Sequence, residues 1–374
     1  VKMKSLVKRL LDLTIEIQQI PAPTFAEAQR AQFVKRLFEA ESLSDISMDA
    51  VGNVYARLPG TGNGKPLIVS AHLDTVFPIE TDLALSVRED RIIAPGIGDN
   101  SLGVAALLGL VWLLRESGKD LPGDLWLVAN VCEEGLGDLH GMRAVVDRFG
   151  ADVVAYLVIE GLSLGYIQHQ GLGVQRYRVT VKTAGGHSWS DYGQPSAIHE
   201  LSRLVTQLTA IPAPSEPRTT VNVGRIGGGT SINAIAAEAW LELDLRSESP
   251  RVLTEMAQSV EQLVERANIL PGTGKPDVRV EAEVIGQRPA GELPSEHSLV
   301  RLAKDCLKEQ GIEPKLMIGS TDANVPLSRG LPALVLGVTN GAGAHTTGEF
   351  IHTEPVERGM QQLVQFVSRV WSGE

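Results

Sequence analysis

The stretch Leu125–Gly135, LWLVANVCEEG, decides how the chain folds. Leu125 to Cys132 is a nearly continuous apolar run of strand length, which marks a strand buried on both faces, as in a parallel sheet. Two glutamates, Glu133 and Glu134, follow at once. Val153–Ile159, VVAYLVI, repeats the pattern and ends on Glu160. Between the two runs, His140–Phe149 reads as a helix; before them come the helical Leu102–Glu116 and the strands Val54–Leu58 and Leu67–Ala71, which flank a PGTGNGK turn. At the N-terminal end, Leu6, Leu10, Leu13 and Ile17 recur at helical spacing within Lys4–Gln19. The segment IPAPT breaks that helix before a second, Phe25–Ala40. Strands alternating with helices define an α/β layer with a buried sheet.

From Val174 the texture changes. QRYRVTV at Gln175–Val181 alternates, as a half-exposed strand does. A helix over Pro195–Leu208, strands over Thr219–Ile226 and Glu238–Leu245, a helix over Pro250–Ala267 and a strand over Val278–Val284 complete the order βαββαβ, the ferredoxin-like unit. The α/β texture then resumes with a helix at Glu296–Gln310, the strand Ala333–Gly337 and a last helix at Pro355–Trp371, for which Thr353 is the expected N-cap. The expected organisation is therefore a discontinuous α/β domain, residues 1–173 and 289–374, interrupted by an α+β insert at 174–288.

Composition narrows the function. The chain has 374 residues and a net charge of −11, so general nucleic-acid binding and adhesion to anionic membranes are disfavoured. A hydrophobic content of 43% is enough for ordinary cores. The longest uncharged apolar run, Leu102–Leu114, has 13 residues, short of the roughly 20 that span a bilayer. Two cysteines, Cys132 and Cys306, make neither a disulfide framework nor a cysteine zinc site. No secretory leader pattern opens the sequence at Val1, and the expectation is a soluble, cytoplasmic protein acting on small molecules.

Chemistry-bearing residues gather at strand ends. His72 and Asp74 close one strand (SAHLDT), Glu133 and Glu134 a second, and Glu160 a third (LVIEG); His345 lies in GAHTTGE after Ala333–Gly337, and Asp99 in the turn PGIGDNSLG. Ligands bind beyond the carboxyl ends of strands in open α/β sheets. Imidazoles and carboxylates together are ligands of zinc and similar divalent ions. Four carboxylates beside two imidazoles carry more negative charge than one ion needs, which argues for two. Two like charges directly after an apolar strand also call for a cation or a proton.

HLDT, GDNS, EEG, IEG and GAHTTGE stand in the order and approximate spacing of the co-catalytic di-zinc exopeptidases and deacylases, and the chain resembles that family over nearly its whole length. The family includes glutamate carboxypeptidase, acetylornithine deacetylase, succinyl-diaminopimelate desuccinylase and tripeptidase; IPAPT with Glu27, AGGHS and LDLR add to the likeness. The resemblance implies a zinc-exopeptidase-like catalytic domain with a mixed sheet between helices, plus a ferredoxin-like lid and dimerisation domain. It implies that Asp99 bridges two zinc ions, with cobalt or manganese as possible substitutes. His72 and Glu160 would complete one site, Glu134 and His345 the other. Asp74 would orient His72, Glu133 would be the general base, and His187 would help stabilise the oxyanion, reaching a neighbouring subunit in a homodimer. Arg246 and Asn233 would hold a substrate carboxylate; an ordinary surface ion pair is the competing reading of Arg246. The implied substrate is a small peptide, for an exopeptidase, or an N-acyl amino acid, for a deacylase. Many members have Asp-x-Lys at the bridging aspartate, whereas Asn100, Ser101 and Leu102 follow Asp99 here; Glu160 stands where tripeptidases carry Asp.

Two other readings compete. Gly161–Gly165, GLSLG, matches a nucleophile elbow, so Ser163 with Asp322 and His345 would make a serine hydrolase; the helix that an elbow needs is not indicated after it. A non-catalytic binding protein on the same scaffold would be marked by a lost ligand or a replaced Glu133, and neither is seen.

Overall fold

The computed structural model describes residues 2–268 and 277–373. The chain divides into two compact units, Val1–Gly171 with Glu292–Glu374, and Leu172–Gly291.

In the first unit a mixed sheet runs in the order Ser44–Met48, Val54–Leu58, Gly123–Asn130, Gly64–His72, Ala155–Glu160, Ala333–Gly337 and Tyr166–Gly171, with Lys315–Gly319 paired to the last of these. Its centre is parallel: Gly64–His72 lies between Gly123–Asn130 and Ala155–Glu160, and Ala333–Gly337 runs parallel to the latter. These are the continuous apolar runs of the sequence. Leu125, Leu127, Val128, Ala129, Leu157, Val158 and Ile159 are all buried, as a strand covered on both faces requires. Helix Gly103–Ser117 is apolar all round because it is a core helix, packed against Lys2–Gln18 and Val356–Arg369. Ile97–Ser117 is long and apolar enough by composition to match a membrane span, but this segment is buried within the unit.

Parallel alignment matters for the site because it brings strand ends to one edge. His72 sits opposite Asn130, three residues before Glu133, and Glu160 sits opposite Gly337. A second, smaller sheet joins Ser86–Val87, Arg91–Ile93, Phe350–His352 and Gly341–Ala342. The register Phe350 to Ile93 pins the loop that contains His345 beside the segment leading to Asp99.

The second unit is a four-stranded antiparallel sheet in the order Thr219–Gly228, Glu238–Ser247, Gly173–Lys182, Arg279–Arg288, with helices Ala197–Leu208 and Pro250–Ala267. That order is the ferredoxin-like one. Tyr177, Val179, Val181, Leu241, Leu243 and Leu245 pack with Leu201, Leu204, Met256 and Val260. The intervening residues form charged pairs instead, among them Arg176 with Asp244 and Arg178 with Glu242. The alternation in QRYRVTV thus separates an apolar face from a charged one.

Several elements differ from the sequence expectation. Ser44–Met48, Tyr166–Gly171 and Lys315–Gly319 are strands that no apolar run announces, and their pairing partners supply the order that their composition does not. The segment before helix Gly103–Ser117 is a separate irregular turn, Ile97–Leu102, that carries Asp99. Thr353 does not cap the last helix. That helix is Val356–Arg369 with Pro355 before it and no side-chain cap, and the Thr353 hydroxyl donates instead to the Glu89 carbonyl at 3.4 Å.

Candidate metal centre and active site

Asp99 stands at the middle of the cluster. His72 Nε2 lies 3.1 Å from Asp99 Oδ1, and His345 Nε2 lies 3.1 Å from Asp99 Oδ2. His72 Nε2 is also 3.7 Å from Glu160 Oε2, and His345 Nε2 is 3.2 Å from Glu134 Oε1. Ligand atoms of His72, Asp99 and Glu134 lie within 4.8 Å of one another. Strand ends, an irregular turn and a distant loop thus bring five donor side chains together. Imidazole nitrogen with carboxylate oxygen is a donor set that suits zinc, cobalt or manganese, so the residues fit a divalent-metal site.

His72, Glu134 and Glu160 are held from behind. His72 Nδ1 hydrogen-bonds the backbone carbonyl of Asp74 at 3.1 Å, while the Asp74 carboxylate stands at 3.6 Å, too far for such a bond. That buried carboxylate accepts from the backbone N–H groups of Glu133 (2.9 Å) and Glu134 (2.8 Å) and from the Thr24 hydroxyl (2.9 Å). Asp74 therefore ties the end of one strand to the glutamate pair after the next. Arg30, fully buried on helix Ala28–Ala40, donates to the carbonyls of Ile20 and of Leu73, the residue between His72 and Asp74. Glu27 accepts from the backbone N–H and thiol of Cys132. Asn100 straddles Glu160: its side chain donates to the Ile159 carbonyl (2.8 Å) and accepts from the Gly161 N–H (2.9 Å). Gly161 is required here, because a Cβ would strike the Gly98 carbonyl oxygen.

The electrostatics follow from this crowding. Burial alone would raise the Asp99 pKa, but hydrogen bonds from His345 and His72 hold its carboxyl well below the usual range. Burial works against the charged His72 imidazole, and its carboxylate neighbours overcome that to raise its pKa well above normal. His345 is pushed up to about 10 by Asp99 and Glu134. Burial raises Glu160, whereas Asp74 stays below the usual range because His72 and the two backbone donors outweigh its desolvation. The surplus of carboxylate thus favours the charged form of both imidazoles. Cys132 is pushed up to about 12, first by burial and then by Glu27 and Asp74.

The remaining candidates lie in the second unit. Gly186–His187 pairs with Ala234–Ile235, which brings His187 beside Asn233: the Ser188 N–H donates to the Asn233 carbonyl at 3.0 Å. The His187 backbone N–H donates to Asp191, and its Nδ1 accepts from the N–H of Trp189 (3.2 Å). Arg246 is separate from this pair, at the far end of strand Glu238–Ser247, where Nε and Nη2 bind the two oxygens of Asp244 at 2.9 and 3.2 Å. The elbow geometry fails at Ser163, since the strand Tyr166–Gly171 follows it and not a helix. Asp322 accepts from Asn130, and His345 is engaged by Asp99 and Glu134. Of the histidines without an assigned role, His169 bonds the Leu293 carbonyl and His297 caps helix Ser298–Glu309. The residues least legible in the sequence are Arg30, Asn100 and Glu349, which bond to backbone; GDN carries Asn100 and GAHTTGE carries Glu349, while no motif carries Arg30.

An imidazole and carboxylate donor set at the carboxyl edge of an α/β sheet has the make-up of a divalent-metal centre. The sequence profile described as Peptidase family M20/M25/M40 matches residues 68–369, and the chain belongs to that family. It is 26% identical over 363 residues to a succinyl-diaminopimelate desuccinylase of Corynebacterium glutamicum, covering 95% of each chain. Among solved structures, a tripeptidase of Staphylococcus aureus matches with a TM-score of 0.82 at 21% identity, covering 97% of this chain and 98% of that one. A dinuclear metal binding peptidase of the M20 family from Bacillus subtilis matches with a TM-score of 0.72 at 18% identity over 99% of each chain. The structural matches speak to the fold; the family match makes the protein a hydrolase of the peptidase and deacylase group.

The raised imidazoles have a measurable consequence. A metal needs neutral imidazole, so loading at neutral pH should expel protons from His345, pushed up to about 10, and from His72, raised well above its usual value. Affinity should therefore rise with pH, by about tenfold per unit for each proton displaced. Calorimetry of zinc binding to the metal-free protein at pH 7.5, in two buffers of different ionisation enthalpy, should give different heats; equal heats would exclude proton release.

Proposed function

We propose that the protein is a di-metal amide hydrolase, most simply an exopeptidase, that cleaves a small peptide near a free carboxylate. The single observation that carries this reading is Asp99 lying 3.1 Å from both His72 and His345, with Glu134 and Glu160 against the same imidazoles. Asp99 would be shared by two ions, His72 and Glu160 would hold one, and Glu134 and His345 the other. Zinc is the proposed metal, with cobalt or manganese able to replace it. When bound, the ions would lower the pKa of a water and polarise the scissile carbonyl.

This chain's own residues do the rest. Glu134 is committed as a ligand, so its neighbour Glu133 is the proton carrier. A carboxylate oxygen of Glu133 takes a proton from the attacking water as the water oxygen bonds to the amide carbon. It then gives that proton to the leaving nitrogen as the C–N bond breaks, releasing an amine and a carboxylic acid that loses its remaining proton to solvent. Asp74 fixes the backbone N–H of Glu133, which limits where that carboxylate can reach. His187 and Asn233 would serve the oxyanion and the substrate. Arg246 would hold the substrate carboxylate with donors left over from Asp244, which already fixes the plane of its guanidinium.

A second reading, hydrolysis of an N-acyl amino acid, uses the same steps; the similarity to a desuccinylase along 95% of the chain favours it. A homodimer through the second unit is supported by its exposed apolar residues Trp189 (86%), Tyr192 (91%) and Ile232 (103%), which flank His187 and Asn233. The two free, buried cysteines fit a cytoplasmic setting.

Metal analysis after zinc loading should return two ions per chain. Glu133→Gln should keep both and lower kcat by about 10²- to 10⁴-fold; near-normal turnover would remove Glu133 as the proton carrier. Arg246→Ala should raise KM for carboxylate-bearing substrates more than for their amidated forms, and an equal effect on both would end its assigned role. Sedimentation velocity should show a dimer of the full chain, and a monomer at micromolar concentration would contradict the dimer.

A further inference from the structure

Glu349 binds the segment that carries Asp99 more extensively than any proposed ligand does. Its side chain is fully buried, at 0% exposure. One oxygen, Oε1, accepts from the backbone N–H of Gly98 at 2.7 Å and of Asp99 at 2.8 Å, and Oε2 accepts from the N–H of Gly96 at 3.2 Å. Its own carbonyl accepts from the Ala94 N–H at 2.9 Å. Hydrogen bonds from one residue therefore reach four positions between Ala94 and Asp99. The strand register makes this possible, since Phe350 pairs with Ile93 and sets Glu349 against Ala94.

The same loop also carries His345, four residues earlier, whose Nε2 lies 3.1 Å from Asp99 Oδ2. One short piece of chain thus holds Asp99 at both ends, the backbone N–H through Glu349 and the carboxylate through His345. Asp99 lies in an irregular turn with φ −109° and ψ 86°, so no helix or strand ladder fixes its direction. Burying this carboxyl group is costly, since burial outweighs its backbone donors and pushes it up to about 7, and the three donors limit that cost only if all are aimed at it. Glutamine would replace it imperfectly, because an amide has one acceptor oxygen: it can keep the Gly98 and Asp99 donors but turns an N–H₂ group toward the Gly96 N–H.

We propose that Glu349 is the positioning residue of the metal centre: it aims Asp99 between the two sites and couples that aim to His345, so that both sites form together. This rests on the di-metal reading above, and the two can fail separately.

The test compares zinc affinity and folding in the full-length wild type, Glu349→Gln and Glu349→Asp. Zinc affinity is measured by competition with a chromophoric chelator, and folding by thermal melting of the metal-free proteins in excess chelator. Glu349→Gln should weaken zinc binding by about 10- to 100-fold, with loss of affinity for both ions. Glu349→Asp keeps the carboxyl group but retracts it by one methylene, and should fall between the wild type and Glu349→Gln. Wild-type affinity for two ions in a folded Glu349→Gln protein would overturn the proposal. So would a lowered melting temperature with unchanged affinity, the mark of a merely structural residue. Should Glu349→Gln fail to fold, Glu349→Asp decides alone: weakened binding supports the proposal, and wild-type binding overturns it. A wild type that takes up fewer than two ions would instead defeat the di-metal reading.

Discussion

Asp99 is a largely enclosed carboxylate, 19% exposed, within 3.1 Å of two imidazoles, and much of the first unit is arranged to keep it there. A buried charge is tolerated only when it is paired and hydrogen-bonded. Here the requirement is severe, because Glu134 and Glu160 approach the same imidazoles and Asp74 lies just behind His72. The two imidazoles are driven toward their charged form by this surplus of carboxylate, and bound cations would answer the same demand.

Holding such a cluster needs a rigid frame, and the frame is made of buried polar side chains bonded to backbone. Asp74 fixes the two glutamates, Arg30 fixes the carbonyl between His72 and Asp74, Asn100 fixes both sides of Glu160, and Glu349 fixes the turn of Asp99. Each bonds main-chain atoms, which have little freedom to move once the sheet is formed. The acceptors and donors so used are also those that strand ends and irregular turns leave unpaired. The frame therefore satisfies the buried backbone and aims the ligands at once.

Much of this was legible in the residues. The apolar runs LWLVANV and VVAYLVI marked the buried parallel strands because a strand covered on both faces has no polar alternation. QRYRVTV marked the one-sided sheet of the second unit for the converse reason. Strands without either pattern, such as Tyr166–Gly171, escaped notice because their partners order them. Thr353 looked like a cap, but its hydroxyl is used by a neighbouring loop. The thiol of Cys132 is raised by burial, and by Glu27 and Asp74, which the fold brings near.

The sequence by itself determined the kinds of atoms at the site and their station at strand ends, because donor chemistry belongs to single residues and strand ends follow from local apolar runs. It also carried the family, through motifs a few residues long. Only the tertiary structure decided that Asp99 would lie between His72 and His345, and that Glu349 would grip its backbone from 250 positions away. A carboxylate that bonds distant main-chain N–H groups leaves no period, spacing or composition in the chain. Its partners exist only once strand pairing has set Phe350 against Ile93.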